Sequence, residues 1–356
     1  MILSKKIMLL PTPEQAILLK KSAGTARWSY NYMLSRNKES DTFINERDIR
    51  KEITLLKKTD EYSWLKEVSA NIPKQACKDC QNAYNKMFKG QAGKPNFKKR
   101  GFKDSFYVNY EHFHKTQNGC HIEKIGSIKT VEQVPILDKY LNPRVVFDNK
   151  YWYITFSYEV EGCKEDLSKN RPLGIDLGIK TFVTTSDNQF FDNINKTRYC
   201  RLLYKRLKKL NRKLSRCKKG SNNRRKVITQ IQMTHRKLAN IRRNYIHQIT
   251  AYLVKTKPSK IIVEYLKVSN MLKNRKLSRE ISQCGFCEFR LVLEYKCKFY
   301  GIGFQLAEQF FPSSKICSVC GNKKSDLRLN DRTYECDCCG IRINRDFNAA
   351  VNLSRL

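Results

Sequence analysis

The polar and apolar positions of the chain change period several times, and each change marks an element. Thr12-Pro13-Glu14-Gln15 sets an N-cap residue before Pro at the first helical position and Gln at the capping-box position, so it predicts a helix running toward Arg36. Helical spacing persists to about Gly90, with Trp28, Tyr32, Trp64, Leu65, Tyr84 and Met87 set among lysines. Gly90-Gln91-Ala92-Gly93-Lys94-Pro95 then breaks the pattern and leads into a basic loop, Phe97 to Gly101. From about Ser105 to Val160 the period is that of strands. Val145-Val146-Phe147, the turn pair Asp148-Asn149 and the alternating Trp152, Ile154 and Phe156 predict a hairpin. Residues 2–10 fit a strand of the same sheet, which makes the helical segment an insertion within a β-domain.

A polar linker from Glu161 to Arg171 ends at Pro172. Leu173 to Leu177 and Thr181 to Thr185 then read as paired strands, and Asp187-Asn188 turns into Gln189-Phe190-Phe191. Leu203, Leu207, Leu210 and Leu214 before Lys218 to Asn223, with Ile228, Ile231, Leu238, Ile241, Ile249 and Leu253 after it, predict two helices joined by a turn. Lys260 to Glu264 is a short buried strand bounded by Pro258. A helical pattern returns from about Glu280 to Tyr300, followed by a strand, a cysteine cluster and a closing helix from Asp346 to Leu356.

Charge changes the picture. Of 356 residues, 70 are Lys or Arg and 33 Asp or Glu, a formal charge of +37, which opposes compaction and attracts polyanions. An ordinary metabolic enzyme acting on small neutral substrates is excluded. With 40% hydrophobic and 11% aromatic residues, so is wholesale disorder, and the length suggests two or three domains. Asn193 to Val263 contains 22 Lys or Arg and no acidic residue. A solvated charged face normally mixes signs to form i, i+4 pairs, so this segment is expected to line a phosphate backbone. Its candidate contacts are Lys205, Arg206, Lys208, Lys209, Arg212, Lys213, Arg224, Arg225, Arg236 and Lys237. No uncharged apolar run approaches the roughly 18 residues of a membrane span, so the expectation is a soluble cytoplasmic protein with no signal peptide and no membrane partner. In that reducing setting the 14 cysteines are metal ligands or core residues rather than disulfides.

The strongest local chemistry is Cys317-x2-Cys320 and Cys336-x2-Cys339, each followed by glycine. Four thiolates in two such pairs suit one tetrahedral Zn²⁺, and Gly321 and Gly340 permit the tight turns of zinc knuckles. Cys338 inside the second pair reads as a spectator. Cys77-x2-Cys80 and Cys284-x2-Cys287 lie in helical patterns without glycine after them, where i, i+3 spacing places both thiols on one face as small core residues. Three carboxylates also stand out. Asp176 interrupts the apolar run Leu173 to Ile179, Glu264 ends Ile261-Ile262-Val263, and Asp346 opens the last helix. Buried carboxylates are costly unless paired or metal-bound, so each is a candidate Mg²⁺ ligand. Each also admits a structural role: Asp346 as a helix cap, Glu264 facing solvent beyond its strand, Asp176 paired with a lysine.

These residues resemble the TnpB family, transposon-encoded RNA-guided DNA nucleases related to type V CRISPR effectors. Pro11 to Gln15 and Gly24 to Asn31 are similar to its N-terminal signature. Gly174-Ile175-Asp176-Leu177-Gly178 resembles the first RuvC motif, Val263 to Leu266 with Asn270-Met271 the second, and Arg345 to Asn352 the third. Pro312-Ser313-Ser314-Lys315 running into the first cysteine pair resembles the family's zinc ribbon. The resemblance implies a multidomain α+β and α/β chain. A wedge-like β-barrel (1–10 and 105–160) carries a helical recognition insertion (11–104). A linker (161–172) leads to an RNase H-like RuvC nuclease domain (173–311 and 341–356) with a basic helical insertion (193–255) and a zinc ribbon (312–340). It implies catalysis by two Mg²⁺ ions on Asp176, Glu264 and Asp346, a guide RNA from the transposon end, and double-stranded target DNA cut beside a short duplex motif. The setting it implies is bacterial or archaeal cytoplasm, at the nucleoid when bound to DNA.

Other classes keep the same motifs in view. An RNA-guided DNA-binding repressor would have lost one or more of the carboxylates, a zinc-ribbon RNA-binding protein would not cut DNA, and a transposase would yield strand-transfer products.

Overall fold

Thr12 caps the first helix as its sequence predicts: the Gln15 amide donates to Thr12 Oγ1 at 3.3 Å and the Thr12 amide to Gln15 Oε1 at 3.1 Å. The structure, a computed structural model, describes residues 1–356 except 102–103, 163–164 and 329–330. Those six fall in the expected insertion, linker and ribbon and lie outside the described residues. The chain divides into two units, Met1–Val160 and Glu161–Leu356.

In the first unit, β1 (Ile2–Leu10) precedes three helices, α1 (Pro13–Glu39), α2 (Glu46–Leu56) and α3 (Asn71–Phe88). Six strands follow: β2 (Ser105–Tyr107), β3 (His114–Thr116), β4 (Gly119–Ile122), β5 (Gly126–Thr130), β6 (Leu141–Asp148) and β7 (Tyr151–Glu159). The hairpin β6–β7 turns at Asn149, whose φ of 60° suits Asn. β1 lies between β7 and β5, pairing Ile7 with Ile154 and Leu9 with Trp152. Period-2 alternation therefore buries Ile7, Leu9, Trp152, Ile154 and Phe156 on one face, with Leu19, Met33 and Leu34 of α1 in the same core.

The expected β-barrel does not form. The seven strands make an open sheet in the order β2-β6-β7-β1-β5-β4-β3. Both edge strands, β2 and β3, are three residues long and so offer few ladder bonds for closure. The β2 edge is packed by α1 and α3 instead, another way to protect an edge.

The second unit opens with β8 (Leu173–Leu177), β9 (Thr181–Thr185) and β10 (Phe190–Asp192). The basic helices α4 (Arg198–Ser215) and α5 (Asn222–Lys255) follow, then β11 (Lys260–Val263). Next come α6 (Val268–Met271), α7 (Ser278–Cys284), α8 (Phe286–Tyr300) and β12 (Gly303–Leu306). A two-stranded ribbon of β13 (Thr333–Glu335) and β14 (Arg342–Asn344) leads into α9 (Arg345–Ser354). The five-stranded sheet runs β10-β9-β8-β11-β12, with β8 antiparallel to β9 but β11 parallel to both β8 and β12. α9 packs on β8, β9 and β11, while α5 and α8 share the core formed by Ile175, Val183, Ile261 and Val263. Burial by helices explains why these strands read as near-continuous apolar runs. Among the described residues no helix is long and apolar enough to cross a membrane.

The β8–α9 contact is unusually close. A Cβ on Gly174 would stand 2.0 Å from the Ala350 carbonyl oxygen and 2.4 Å from the Ser354 nitrogen, both backbone atoms. Only glycine opposite the buried Ala349 and Ala350 allows this approach. Gly174→Ala is therefore expected to destabilise the Glu161–Leu356 unit by about 3 kcal/mol or more, the upper range of overpacking, in denaturant unfolding. A change within about 0.5 kcal/mol, the range of neutral surface substitutions, would contradict the close packing.

Candidate functional site

Register brings the three carboxylates together from positions 88 and 82 residues apart. Ile175 pairs with Val263 in the parallel β8–β11 ladder, and the Glu264 amide donates to the Ile175 carbonyl at 3.2 Å, so Glu264 follows its strand beside Asp176. Asp176 lies two residues beyond Gly174, hence on the same face of β8, the face that meets α9. Asp346 lies one helical turn before Ala350 on α9. A strand step of two residues and a helix step of four each cover about 6–7 Å, so contact at Gly174 carries Asp176 to the start of α9.

The electrostatics record this crowding. Burial, then the charges of Glu264 and Asp346, push the Asp176 carboxyl well above its ordinary range, against a weaker pull from Arg345. Burial and the charge of Asp346 push Glu264 up to about 7. Among the described residues neither Asp176 nor Glu264 forms a side-chain hydrogen bond or an ion pair, so pairing of Asp176 with a lysine does not occur and Glu264 does not face open solvent. Nor does Asp346 cap its helix. That task falls to Asn344, whose side chain accepts from the Asp346 and Phe347 amides at 3.0 Å each. Asp346 Oδ1 accepts instead from Nε and Nη2 of Arg345 at 3.4 and 3.2 Å.

Cys317, Cys320, Cys336 and Cys339 bring their sulfurs within 4.8 Å of one another, a cluster that can hold a metal ion. Among the described residues the three carboxylates do not form such a cluster; their proximity is recorded in the charges they exert on one another. Two matching knuckles build the sulfur cluster. Gly321 and Gly340 amides donate to the Cys317 and Cys336 carbonyls at 3.0 Å each, and the Cys317 and Cys336 amides donate to Asn322 and Ile341 carbonyls at 2.8 and 3.0 Å. Both glycines need positive φ, 77° and 67°. The Cys339 amide, outweighing burial and joined by that of Cys338, draws the Cys336 thiol down to about 6. That favours the thiolate, the form that binds metal. Cys338 itself is exposed. Cys77 and Cys80 are both buried on α3, as expected. Cys284 and Cys287 do not share a helix face: Gly285, at φ 75°, ends α7 and starts α8, leaving Cys284 buried and Cys287 exposed.

Two residues of the stretch resembling the third RuvC motif, Asn348 and Asn352, were given no role of their own by the sequence. Fully buried Asn348 donates to the Ile316 carbonyl at 2.7 Å and accepts from the Ser318 amide at 2.9 Å. Asn352 donates to the Ser313 and Ile316 carbonyls at 2.8 and 2.6 Å. Asn348 and Asn352 thus clasp the backbone on both sides of Cys317 to the helix that carries Asp346. Asparagine at these helical positions reads as neutral without knowing what approaches.

The basic segment is two helices, capped by Thr197 and Ser221. Leu203, Leu207 and Leu210 of α4 are buried, Leu203 and Leu207 in one small core with Leu238 of α5. Lys205, Arg206, Lys208, Lys209, Arg212 and Lys213 of α4 and Arg225 and Lys237 of α5 are exposed, and among the described residues no Lys or Arg of α4 forms a salt bridge. Arg224 and Arg236 are half-buried; Arg224 Nη1 donates to the Leu214 carbonyl at 3.1 Å and so braces the inter-helix turn.

Comparison with known proteins is consistent across the chain. Residues 155–275 match a family model described as a probable transposase, residues 286–353 one described as a Cas12f1-like TNB domain, and residues 1–40 one described as a helix-turn-helix domain. In this structure residues 1–40 fold as β1 followed by α1. A provisionally named RNA-guided DNA endonuclease of Streptomyces pristinaespiralis is 31% identical over 96% of this chain and 86% of its own. InsQ of Escherichia coli K12, provisionally named in the same way, is 30% identical over 98% of this chain and 90% of its own. A solved Cas12f1–sgRNA–target DNA complex shares the fold at a TM-score of 0.62 and 14% identity, covering 96% of this chain and 83% of that one. With relatives this similar over nearly its whole length, the chain belongs to the TnpB family of transposon-encoded proteins.

Proposed function

We propose that this protein is a transposon-encoded RNA-guided DNA endonuclease that hydrolyses target phosphodiester bonds at Asp176, Glu264 and Asp346. The observation carrying this is the meeting of three carboxylates, two of them unpaired, in a chain of +37 whose relatives bear the name RNA-guided DNA endonuclease. The β10-β9-β8-β11-β12 order with α9 across β8 supports a RuvC-like, RNase H-like reading of residues 173–311 and 341–356. The first unit is assigned as the wedge-like β-domain (1–10, 105–160) with its recognition insertion (11–104), and 161–172 as the linker.

The donor set fits Mg²⁺. All three ligands are hard carboxylate oxygens, and their mutual repulsion is relieved by a divalent cation. When bound, two Mg²⁺ ions supply an activated water and neutralise charge on the departing oxygen. The residues do the rest. The raised proton affinity of Asp176 and Glu264 sets protons in competition with metal there, Arg345 holds the Asp346 carboxylate, and Asn348 and Asn352 fix α9 beneath it. The cysteine cluster fits one structural Zn²⁺: four soft sulfur donors in two closed knuckles with no position left open. Target choice rests on pairing with a guide RNA, while exposed Lys and Arg of α4 and α5 grip phosphates. A repressor that binds without cutting is the outcome if the carboxylates prove idle.

The direct test is a guide-programmed cleavage assay beside a target-binding assay for Asp176→Ala, Glu264→Ala and Asp346→Ala. Each single change is expected to lower cutting by about three orders of magnitude or more, with a double change adding little because the ligands act as a unit. Binding should persist, and chelator should abolish cutting. Undiminished cutting by a variant removes that residue from the site, and loss of binding in all three indicates a structural role.

Metal analysis should find one Zn²⁺ per chain, and Cys336→Ser should unfold the ribbon, since binding energy in closed sites is folding energy. Asn348→Ala is expected to keep its zinc yet cut at least about tenfold more slowly, the scale of an outer-shell loss. Absence of zinc in unchelated protein, or full activity of Asn348→Ala, would refute these assignments.

A further inference from the structure

A second candidate site has none of the three carboxylates in its lining. A groove of about 1070 Å³ opens between α4, the short Ile194–Lys196 turn and α7. It exceeds the roughly 300–1,000 Å³ of small-ligand pockets. Arg201, Lys205, Lys208 and Arg212 along its α4 wall recur at i, i+4, i+7 and i+11, and so form one stripe about 16 Å long. Among the described residues none of these four forms an ion pair, and Glu280 is the one carboxylate in the lining.

The floor differs from a plain phosphate cradle. Tyr204 is half-buried there, its hydroxyl donating to Asn195 Oδ1 at 3.1 Å. Asn195 is itself pinned, its Nδ2 donating to the Gln283 carbonyl and Asn193 Oδ1 at 2.9 Å each. The ring therefore sits in one orientation, and the Arg279 guanidinium carbon stands over it, 5.5 Å from its centroid. Fixed aromatic rings and guanidinium planes are the surfaces on which unpaired bases stack, and duplexes do not present base faces.

We propose that this groove binds an unpaired nucleotide of a nucleic-acid single strand, its base on the Tyr204–Arg279 pair and its flanking phosphates on the α4 stripe. This rests on the nucleic-acid reading above and adds a base-contacting site distinct from backbone grip. The strand is either RNA, as in a guide, or DNA separated from its complement. The chemistry is shared.

The test uses the full-length protein with fluorescein-labelled oligo(U), oligo(dT) and a hairpin duplex. Tyr204→Ala is expected to weaken single-strand binding about tenfold, the scale of one lost base stack. Duplex binding and the salt dependence should stay unchanged. Tyr204→Trp and Tyr204→Phe should retain the affinity, which separates loss of a platform from loss of folding. Lys208→Gln should instead lower the slope of log K against log salt by about 0.7. Photocrosslinking of 4-thiouridine and 4-thiothymidine strands, mapped to α4 and α7, tells the RNA source from the DNA source. Three results would overturn the site: unchanged single-strand affinity in Tyr204→Ala, an equal loss on duplex, or displacement by polyglutamate as effective as by oligonucleotide. A chain that crosslinks at Tyr204 but never cuts DNA would leave this site standing and refute the nuclease reading alone.

Discussion

The second unit turns on the approach of α9 to β8, where Gly174 leaves no room for a side chain beneath Ala350 and Ser354. That contact and the parallel pairing of β8 with β11 set Asp176, Glu264 and Asp346 around one point. Like charges so placed are costly, and the protein has not neutralised them from within: Arg345 serves Asp346, and the other two carboxylates have no ion-pair partner among the described residues. The cost is carried as raised proton affinity, with Glu264 at about 7. A group of acids kept short of counter-charge in so basic a chain is what supports the proposed divalent-cation site.

The rest of the charge follows the opposite rule. A chain of +37 repels itself, and α4 and α5 concentrate that repulsion on exposed faces with few acids to offset it. Leu203, Leu207 and Leu210 of α4 pack inward while its cations remain outside. Binding a polyanion relieves the repulsion, so on the proposed function nucleic acid stabilises the fold as well as serving as substrate. Asn348 and Asn352 connect the cysteine ribbon to the helix of Asp346 through the backbone around Cys317.

Local chemistry was legible in the sequence where few residues determine it. The Thr12 cap, the Asn149 hairpin, the two-helix basic segment and the cysteine knuckles all follow from residues close in the chain. Closure of the first sheet was not, because whether edge strands meet depends on strand length and on what packs against them, and α1 and α3 take the β2 edge. Cys284 and Cys287 misled because one glycine divided the helix between them. Spacing alone also left the carboxylates unconnected; their meeting depends on a parallel ladder and a single glycine contact between segments far apart in sequence. Arg224 illustrates a further limit: in a basic helix it reads simply as a phosphate contact, while in the fold its guanidinium also braces the turn between α4 and α5. Tyr204 and Arg279 lie 75 residues apart and become a pair only through tertiary packing.

That the three carboxylates form a divalent-cation site, where metal competes with the raised proton affinity of Asp176 and Glu264, can be measured by calorimetric titration of Mn²⁺ into nucleic-acid-free protein at pH 6 and pH 8 in buffers of different ionisation enthalpy. Because folding raises the Glu264 carboxyl from 4.5 to about 7, it is largely protonated at the lower pH and ionised at the higher. Mn²⁺ should therefore bind with proton release at pH 6, more tightly and with less release at pH 8, and Glu264→Gln should shrink the difference. Binding that is absent, or equally tight at both pH values and unchanged in Asp176→Ala, would contradict the account.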